Sequence, residues 1–322
     1  MKALVTGASG FVGGHLAEHL LAQGDQVLGA SRGGAWPDDV PVEVRRQAPL
    51  VAWDVGDEDG PSGDAREQIE AFAPDCVYHL AAVSVPGQCG QAEPNAHALA
   101  VNVHGTSRVL RLAAGLENRP RVLLISTSHV YRPPSAPEVP LTEDDPVAGR
   151  GGYGISKRMA EEVAGEFVER DCLDVIIARS FQHTGPRQAA DMMLPEWCAQ
   201  FCRPGDPPVR VLNLDTTIDL TDVRDVIRAY RLLIEHGDTG VAYNIGSGRP
   251  RRTGDVLSLL ETLAGGNREI IELRPGVRHD PLADITRITA ATGWQPEIPM
   301  EKTVADTWAY WRRRAEREGN AV

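Results

Sequence analysis

A tyrosine and a lysine four residues apart are the side chains with the clearest chemical use. Tyr153 and Lys157 stand in the segment Tyr-Gly-Ile-Ser-Lys, and on a helix this spacing puts both side chains on one face. An ammonium about 4 Å from a phenol favours the phenolate by roughly 4 kcal/mol at an effective dielectric of about 20. We therefore expect Lys157 to lower the pKa of Tyr153 towards neutrality, where a tyrosine serves as an acid or a base.

The same spacing also occurs by chance on ordinary helices, so the pair needs support from the rest of the chain. Lys157 is one of three lysines among 33 lysines and arginines. Because nearly all other basic residues of the chain are arginines, a lysine here indicates that the compact ammonium is needed at this position.

A glycine-rich turn near the start of the chain predicts a cofactor site. An apolar strand at residues 2–6 leads into Gly7, Gly10 and Gly13, and a helix with apolar periodicity follows. Glycines at this spacing permit a tight turn, close approach of a pyrophosphate to the helix N-terminus, and close helix–strand packing. The plain alternative is an ordinary glycine-rich loop. The predicted cofactor contacts of the turn are Gly7, Ser9, Gly10, Phe11, Val12 and Gly13.

The next two strands carry the signal for cofactor choice. The strand at residues 26–31 ends in Ser31, followed by Arg32, without the carboxylate that binds the ribose of NAD. A missing acid and an added cation favour the 2′-phosphate of NADP(H) over NAD(H), although a plain surface arginine is the alternative. The strand at 50–54 ends in Asp54, which suits an adenine amino group. We expect a surface loop at residues 33–47.

Three more strands, at residues 76–80, 122–126 and 173–178, alternate with helices. This alternation predicts an α/β fold with a doubly wound parallel Rossmann sheet. The run Ser126, Thr127, Ser128 lies at the carboxyl end of a strand, where such sheets bind ligands, or it simply caps the next turn. Asn102 lies within an apolar helix predicted at 96–116, so its amide needs polar partners.

Composition excludes several other classes of protein. The 322 residues are enough for a large core, and a net charge of −12 argues against nucleic acid or an anionic membrane as partner. We found no segment suited to a signal peptide or membrane span and expect a cytoplasmic protein. Five scattered cysteines suit reduced thiols. Cys198 and Cys202 have helical spacing but no second ligand pair, so we expect no metal site.

The motifs together resemble one family. The turn at 6–13, Asp54, His79 to Ala82, Asn102, the segment 126–131 and the Tyr153/Lys157 pair follow the order found in extended short-chain dehydrogenase/reductases that act on nucleotide sugars. The chain looks most like the GDP-4-keto-6-deoxymannose (GDP-rhamnose) reductases and their GDP-mannose dehydratase relatives, through residues 179–188, 213–215, 221–226, 243–248 and 292–294. The likeness covers nearly the whole chain.

The resemblance implies roles for individual residues. Tyr153 exchanges the proton, Lys157 tunes it and binds the nicotinamide ribose, and Thr127 hydrogen-bonds the sugar oxygen under reaction. Asn102 supports Lys157, commonly through water. Asp54 and Val55 hold adenine, and the remaining cofactor positions are Leu80, Ala81, Ala82, Phe181 and His183. The substrate positions are Ser84, Ser128, His129, Gln182, Arg187 and Arg278, the last gripping the diphosphate.

Three departures from the family pattern bear on the reaction. The dehydratases carry a Glu two residues after the catalytic Thr, where this chain has His129. At Gln182 the family has an asparagine. At Ile218, directly before Asp219, the family commonly has an arginine. The intact Thr127, Tyr153 and Lys157 with the missing acid favour an NADPH-dependent 4-ketoreductase of a nucleotide-linked 4-keto-6-deoxyhexose. The alternatives are a 4-epimerase or 4,6-dehydratase with a tightly held NAD(P), and a non-catalytic NADP-binding module.

The resemblance also predicts how the chain divides into domains and how it assembles. Residues 1–180, continued by about 212–246, form the nucleotide-binding domain, and 181–211 with 247–322 form a smaller interleaved substrate domain. A homodimer is expected through the helices at 96–116 and 153–170. Its apolar seam would use Leu99, Val103, Leu110, Met159, Val163 and Phe167, although the same stripe equally suits packing of each helix on its own sheet.

Overall fold

A seven-stranded parallel sheet forms the larger part of the computed structural model, which describes residues 1–133, 139–266 and 268–319. Its strand order is β10-β6-β5-β4-β1-β2-β3 and all its pairings are parallel. The predicted doubly wound α/β fold is thereby confirmed. The strands are β1 (Lys2–Thr6), β2 (Gln26–Ser31), β3 (Leu50–Ala52), β4 (Cys76–His79), β5 (Arg121–Thr127), β6 (Val175–Ser180), β7 (Gln182–Thr184), β8 (Val209–Val211), β9 (Thr216–Asp222), β10 (Ala242–Ile245), β11 (Pro250–Arg252), β12 (Ile270–Glu272) and β13 (Arg278–His279).

Helices cover both faces of this sheet, and the central strands are accordingly continuous apolar runs. Leu16, Leu20 and Tyr230 pack on one face, whereas Ile69 and Leu110 pack on the other. The helices are α1 (Phe11–Ala22), α2 (Val42–Gln47), α3 (Gly63–Phe72), α4 (Ala96–Ala98), α5 (Gly105–Gly115), α6 (Gly151–Asp171), α7 (Met193–Phe201), α8 (Val223–His236), α9 (Thr253–Ala264), α10 (Thr286–Thr292) and α11 (Met300–Gly319).

Two local predictions need correction. The expected loop at 33–47 contains α2, because Val44 is an apolar anchor that is only 4% exposed and belongs to the core beside α1. The expected helix at 96–116 is interrupted by a π-helical stretch, Leu99–His104, between α4 and α5. Such stretches occur mostly as single turns and frequently at functional sites.

The smaller sheets belong to the C-terminal half of the chain. β9 pairs with β11, β13 and β7, and β8 pairs with β12. Trp197, Leu260 and Trp311 from α7, α9 and α11 share one apolar core beside them. β9 therefore lies in a small sheet, whereas α8 and β10 pack with the large one. The domain boundaries given above stay a prediction.

The apolar stripe expected to join two subunits is largely inside the subunit. Val103, Leu110 and Phe167 are at most 6% exposed, and the last two pack on the large sheet with Leu173. None of the helices in the described residues combines the length and apolar character that crossing a membrane requires. All five cysteines are free thiols.

Replacement of Gly13, in the first turn of α1, tests the close packing of that turn on the loop after β1. A Cβ at Gly13 would stand 2.4 Å from the carbonyl oxygen of Gly7 and 2.6 Å from that of Ala8, so Gly13→Ala should destabilise the fold by about 1–3 kcal/mol or more. Gly165→Ala is the matched control on α6, because nothing lies within 4 Å of its Cβ. That change should stabilise by about 0.5–1 kcal/mol through helix propensity. Urea unfolding of both variants measures the contrast, and equal stabilities would contradict it.

Candidate active site

A cavity of about 770 Å³ lies at the carboxyl ends of the parallel strands, where open α/β sheets bind their ligands. This volume is within the usual range for small-molecule sites. It brings together nearly all the predicted positions, namely Gly7, Ser9, Gly10, Phe11, Val12, Gly13, Ser31, Arg32, Asp54, Val55, Leu80, Ala81, Ala82, Ser84, Thr127, Ser128, His129, Tyr153, Lys157, Phe181, Gln182 and His183.

The glycine turn has the features of a phosphate cradle. Gly7 has a φ of 70°, and a Cβ on it would lie 2.7 Å from the backbone nitrogen of Ala81. The helix α1 begins after Gly10, which supplies no side-chain cap to its first N–H groups. Because Gly10, Phe11 and Val12 line the cavity, the N-terminus of α1 suits a pyrophosphate.

The far end of the cavity holds polar atoms that the protein leaves unsatisfied. The Ser31 hydroxyl and the Trp53 indole nitrogen are both buried and have no hydrogen-bond partner among the described residues. Both residues line the cavity with the exposed Arg32. Buried polar groups normally have partners, so this end is built for a polar ligand group. Trp53 was not anticipated from the sequence, since it reads as an ordinary apolar strand residue.

Tyr153, Lys157 and Thr127 all line the cavity. Burial raises the pKa of Tyr153 to about 12, with the Thr127 hydroxyl partly offsetting the rise. Burial also lowers the pKa of Lys157 to about 8, opposed by the charge of Glu161. The expected drop in the Tyr153 pKa is therefore not found, because the loss of hydration acts on the phenol and the ammonium alike. At neutral pH the pair is a phenol beside an ammonium.

A buried ion pair fixes α6 against the sheet behind Lys157. Arg179 of β6 donates to Glu161 of α6 with an Nη2–Oε2 distance of 2.8 Å, and the Ser126 hydroxyl of β5 donates to the same carboxylate. Arg179 also donates to the Tyr131 hydroxyl at 3.1 Å. This network ties α6 to β5, the strand that carries Thr127.

Asn102 lies in the π-helical stretch and does not line the cavity. Its Oδ1 accepts from the Val83 amide at 2.8 Å, and its Nδ2 donates to the Val83 carbonyl and, at 3.0 Å, to the Ser156 hydroxyl. Ser156 in turn donates to the carbonyl of Tyr153 at 2.8 Å. In this structure Asn102 therefore contacts α6 through Ser156, while its predicted support of Lys157 through water stays a prediction.

A chain of hydrogen bonds holds the π-helical stretch. The Thr106 hydroxyl donates to the Asn102 carbonyl at 2.7 Å and accepts from His79 Nε2 at 3.1 Å. His79 Nδ1 then accepts from the Thr6 hydroxyl at 2.8 Å. Burial, and to a smaller extent the charge of Lys157, lowers the pKa of His79 to about 3. This imidazole is therefore neutral.

His129, which stands where the resemblance places the acid of dehydratases, packs against Tyr153. Its ring centroid lies 5.5 Å from that of Tyr153 in an edge-on arrangement. Burial, together with the charge of Arg150, lowers the pKa of His129 to about 4. The imidazole is neutral and binds a proton weakly, unlike a base suited to remove a proton from a sugar carbon at neutral pH.

Two predicted substrate residues lie away from this cavity. Arg187 has a φ of 70° and pairs with Glu18 of α1 at 2.7 Å, while its Nη2 also lies 2.6 Å from His15 Nδ1. Arg278 is exposed on β13. Neither residue lines the cavity in this structure, and their substrate roles stay predictions.

One wall of the cavity was missed from the sequence. It consists of the loop before α7 with the start of that helix, and of residues from the segment after β4. These residues have varied chemistry and no spacing that marks a site, so only the fold reveals them: Pro86, Gln88, His97, Val101, Gln188, Ala189, Asp191, Met192, Met193 and Leu194.

Comparison with known proteins agrees with this geometry. The profile of the NAD dependent epimerase/dehydratase family matches residues 3–246. The GDP-6-deoxy-D-mannose reductase of Pseudomonas aeruginosa is 27% identical over 325 residues, covering 98% of this chain and 99% of the relative. The dTDP-glucose 4,6-dehydratase of Streptomyces griseus is 28% identical over 320 residues, covering 96% and 94%. A solved structure of RMD from Pseudomonas aeruginosa complexed with NADPH has 27% identity and a TM-score of 0.80, covering 97% of this chain and 99% of that chain.

Thr106→Val should loosen the π-helical stretch, because it removes the partner of both His79 Nε2 and the Asn102 carbonyl. Leaving such buried groups unsatisfied costs about 1–3 kcal/mol. Thr106→Ser keeps the hydroxyl and is the control. Chemical denaturation compares the two variants, and a Val variant as stable as the Ser variant would show that this bond does not hold the stretch.

Proposed function

Because the chain belongs to the NAD dependent epimerase/dehydratase family, we propose that it is an NADPH-dependent 4-ketoreductase of a nucleotide-linked 4-keto-6-deoxyhexose, similar to GDP-4-keto-6-deoxymannose. The observation that carries the proposal is the protonated Tyr153 phenol beside Thr127 and Lys157, with the weakly basic His129 where dehydratases carry a carboxylate. The likeness to the GDP-6-deoxy-D-mannose reductase over almost the full length of both chains supports it.

The chain's own residues account for the proton and charge changes of this reaction. NADPH, when bound, supplies the hydride to the C4 carbonyl carbon. Tyr153 donates its phenolic proton to the C4 oxygen, and Thr127 hydrogen-bonds the same oxygen and orients it. The Lys157 ammonium is the cation that would stabilise the phenolate formed when Tyr153 gives up its proton.

The cavity offers matching contacts along the length of the cofactor. The N-terminus of α1 would hold the pyrophosphate, Asp54 and Val55 the adenine, and Lys157 the nicotinamide ribose. Asp54 Oδ1 already accepts from the Gly56 amide at 2.9 Å, which fixes the direction of its carboxylate. The buried, unpartnered Ser31 hydroxyl and the adjacent Arg32 suit a 2′-phosphate.

We also propose a cytoplasmic enzyme, because the five cysteines are free and reduced thiols are typical of that compartment. A homodimer through the helices at 96–116 and 153–170 stays a prediction. The partly exposed Leu99, Met159 and Val163 are the apolar side chains of the predicted seam that remain available to a second subunit.

Replacement of the proton donor tests the reaction. Tyr153→Phe should reduce ketoreduction by at least about a hundredfold, the scale of general acid help, while NADPH binding is retained. The measurement is NADPH consumption with a nucleotide-linked 4-keto-6-deoxy sugar, together with a fluorescence titration of NADPH. For the wild-type enzyme, one NADPH should be consumed per sugar reduced. Interconversion of two sugar nucleotides without added cofactor would instead establish an epimerase, and unchanged output from the Phe variant would favour a non-catalytic binding module.

The pH dependence should report on Lys157. Reduction needs the phenol of Tyr153, whose pKa is about 12, and the ammonium of Lys157, whose pKa is about 8. A lysine is charged below its pKa, so kcat/KM should be level below pH 8 and fall as pH rises through that value. In Lys157→Arg the charge persists at all these pH values, so its residual activity should lack this fall. A wild-type profile that rises above pH 8 would contradict the assignment.

Cofactor preference should depend on Ser31 and Arg32. Arg32→Ala should weaken NADPH binding roughly tenfold to a hundredfold, the range for hydrogen bonds to charged groups, and leave NADH nearly unchanged. Ser31→Asp should reverse the preference, because a carboxylate repels the 2′-phosphate and accepts from the ribose hydroxyls of NADH. Calorimetric titration measures both cofactors. If the wild-type protein binds NADH as tightly as NADPH, this interpretation of the strand end is wrong.

A further inference from the structure

A second, smaller cavity, which we call the annex, opens beside the active-site cavity. Its volume is about 280 Å³. It shares five lining residues with the larger cavity, Pro86, Ser128, His129, Phe181 and Gln182, and adds Arg150, Asp280 and Pro281. Since His129 also packs on the ring of Tyr153, the annex adjoins the position of the reacting sugar.

The backbone places Arg150 at the annex. Arg150 is the only residue with a side chain in the run Gly149-Arg150-Gly151-Gly152. The amides of Gly149 and Arg150 donate to the carbonyls of Val130 and His129, both at 2.8 Å. A Cβ on Gly152 would stand 2.2 Å from the carbonyl oxygen of Cys89. The backbone of this segment is therefore in direct contact with the backbone of residues 129–130 and 89. These contacts fix the position of the Arg150 Cα, from which the side chain extends.

The described residues do not pair the charge of Arg150 at close range, and Asp280 acts on it only from beyond 4.0 Å. Its guanidinium is half-buried, its Nε is buried without a hydrogen-bond partner, and no carboxylate of the described residues lies within 4.0 Å of it. Asp280 lines the annex, but its Oδ2 accepts from Gln182 Nε2 at 2.7 Å. Arg179, by contrast, meets Glu161 at 2.8 Å. A guanidinium that has lost water and gained no partner is costly, and its donor fork matches a planar or tetrahedral oxyanion.

We propose that Arg150 is a specificity-determining residue that binds an oxyanion of the substrate in the annex. The inference rests on the proposed function as a nucleotide-sugar enzyme, and two groups of such substrates have this chemistry. One is a carboxylate on C5 of the sugar, next to the reacting C4, which a uronate has in place of the methyl group of the 6-deoxyhexose proposed above. The other is the diphosphate, attached across the ring at C1. In either case the arginine discriminates by charge in a cavity whose lining residue His129 packs against Tyr153.

Binding measurements with Arg150→Met test the inference without turnover. The protein saturated with NADP⁺ is titrated calorimetrically with GDP, GDP-mannose, UDP, UDP-glucose and UDP-glucuronate. Arg150→Lys keeps the charge without the fork, and Arg46→Met is the matched control, since Arg46 is exposed on α2 and lines neither cavity. Thermal unfolding of each unliganded variant checks the fold. We expect Arg150→Met to weaken oxyanion binding roughly tenfold to a hundredfold, with Arg46→Met unchanged.

The pattern of losses separates the two sources. A loss shared by all five ligands places the diphosphate at Arg150, and a loss confined to UDP-glucuronate places the sugar carboxylate there. Affinities within about twofold of wild type for every ligand would overturn the inference, as would a loss confined to GDP-mannose and UDP-glucose, or no binding of any of the five by the wild type. Failure of NADPH consumption with the keto sugar rejects the reductase separately, because these titrations require no reaction.

Discussion

The burial of the Lys157 ammonium is the constraint on which the site depends. Lys157 is only 4% exposed, and a charge removed from water needs compensation from its surroundings. Glu161, four residues later on α6, raises the pKa of that ammonium against the effect of burial. Glu161 is itself held by Arg179 and Ser126. The Glu161 carboxylate thus fastens α6 to the central strands and also favours the charged form of Lys157.

A second set of contacts fixes the other side of that helix. The π-helical stretch Leu99–His104 presents the Asn102 amide to Val83 and Ser156, and His79 with Thr106 satisfies the carbonyl of Asn102 from behind. These polar groups are fully buried, so each bond forms in a medium where an unpaired group would be expensive. The result is a rigid frame around Tyr153, which suits a residue that must present one proton in one direction.

Three of the buried polar groups that have no hydrogen-bond partner among the described residues line the two cavities. The Ser31 hydroxyl and the Trp53 indole nitrogen line the large cavity, and the Arg150 side chain lines the annex. Elsewhere, buried charges such as Arg179 and Asp219 have partners within the chain. Because they line a cavity, these three groups are available to a ligand, whereas the equally unpartnered Tyr78 hydroxyl and Trp311 indole nitrogen line neither cavity.

The amino-acid sequence determined the alternation of strands and helices over residues 1–180, the glycine turn and the positions of Thr127, Tyr153 and Lys157, because periodicity and motif spacing are local properties of the chain. Tertiary structure decided what depends on surroundings. It raised the pKa of Tyr153 through burial, placed Arg187 against Glu18, made a helix of Val42–Gln47 and brought Arg150 beside Asp280, which is 130 positions away along the chain. Desolvation and long-range contacts arise only when distant segments pack, so no local pattern contains them.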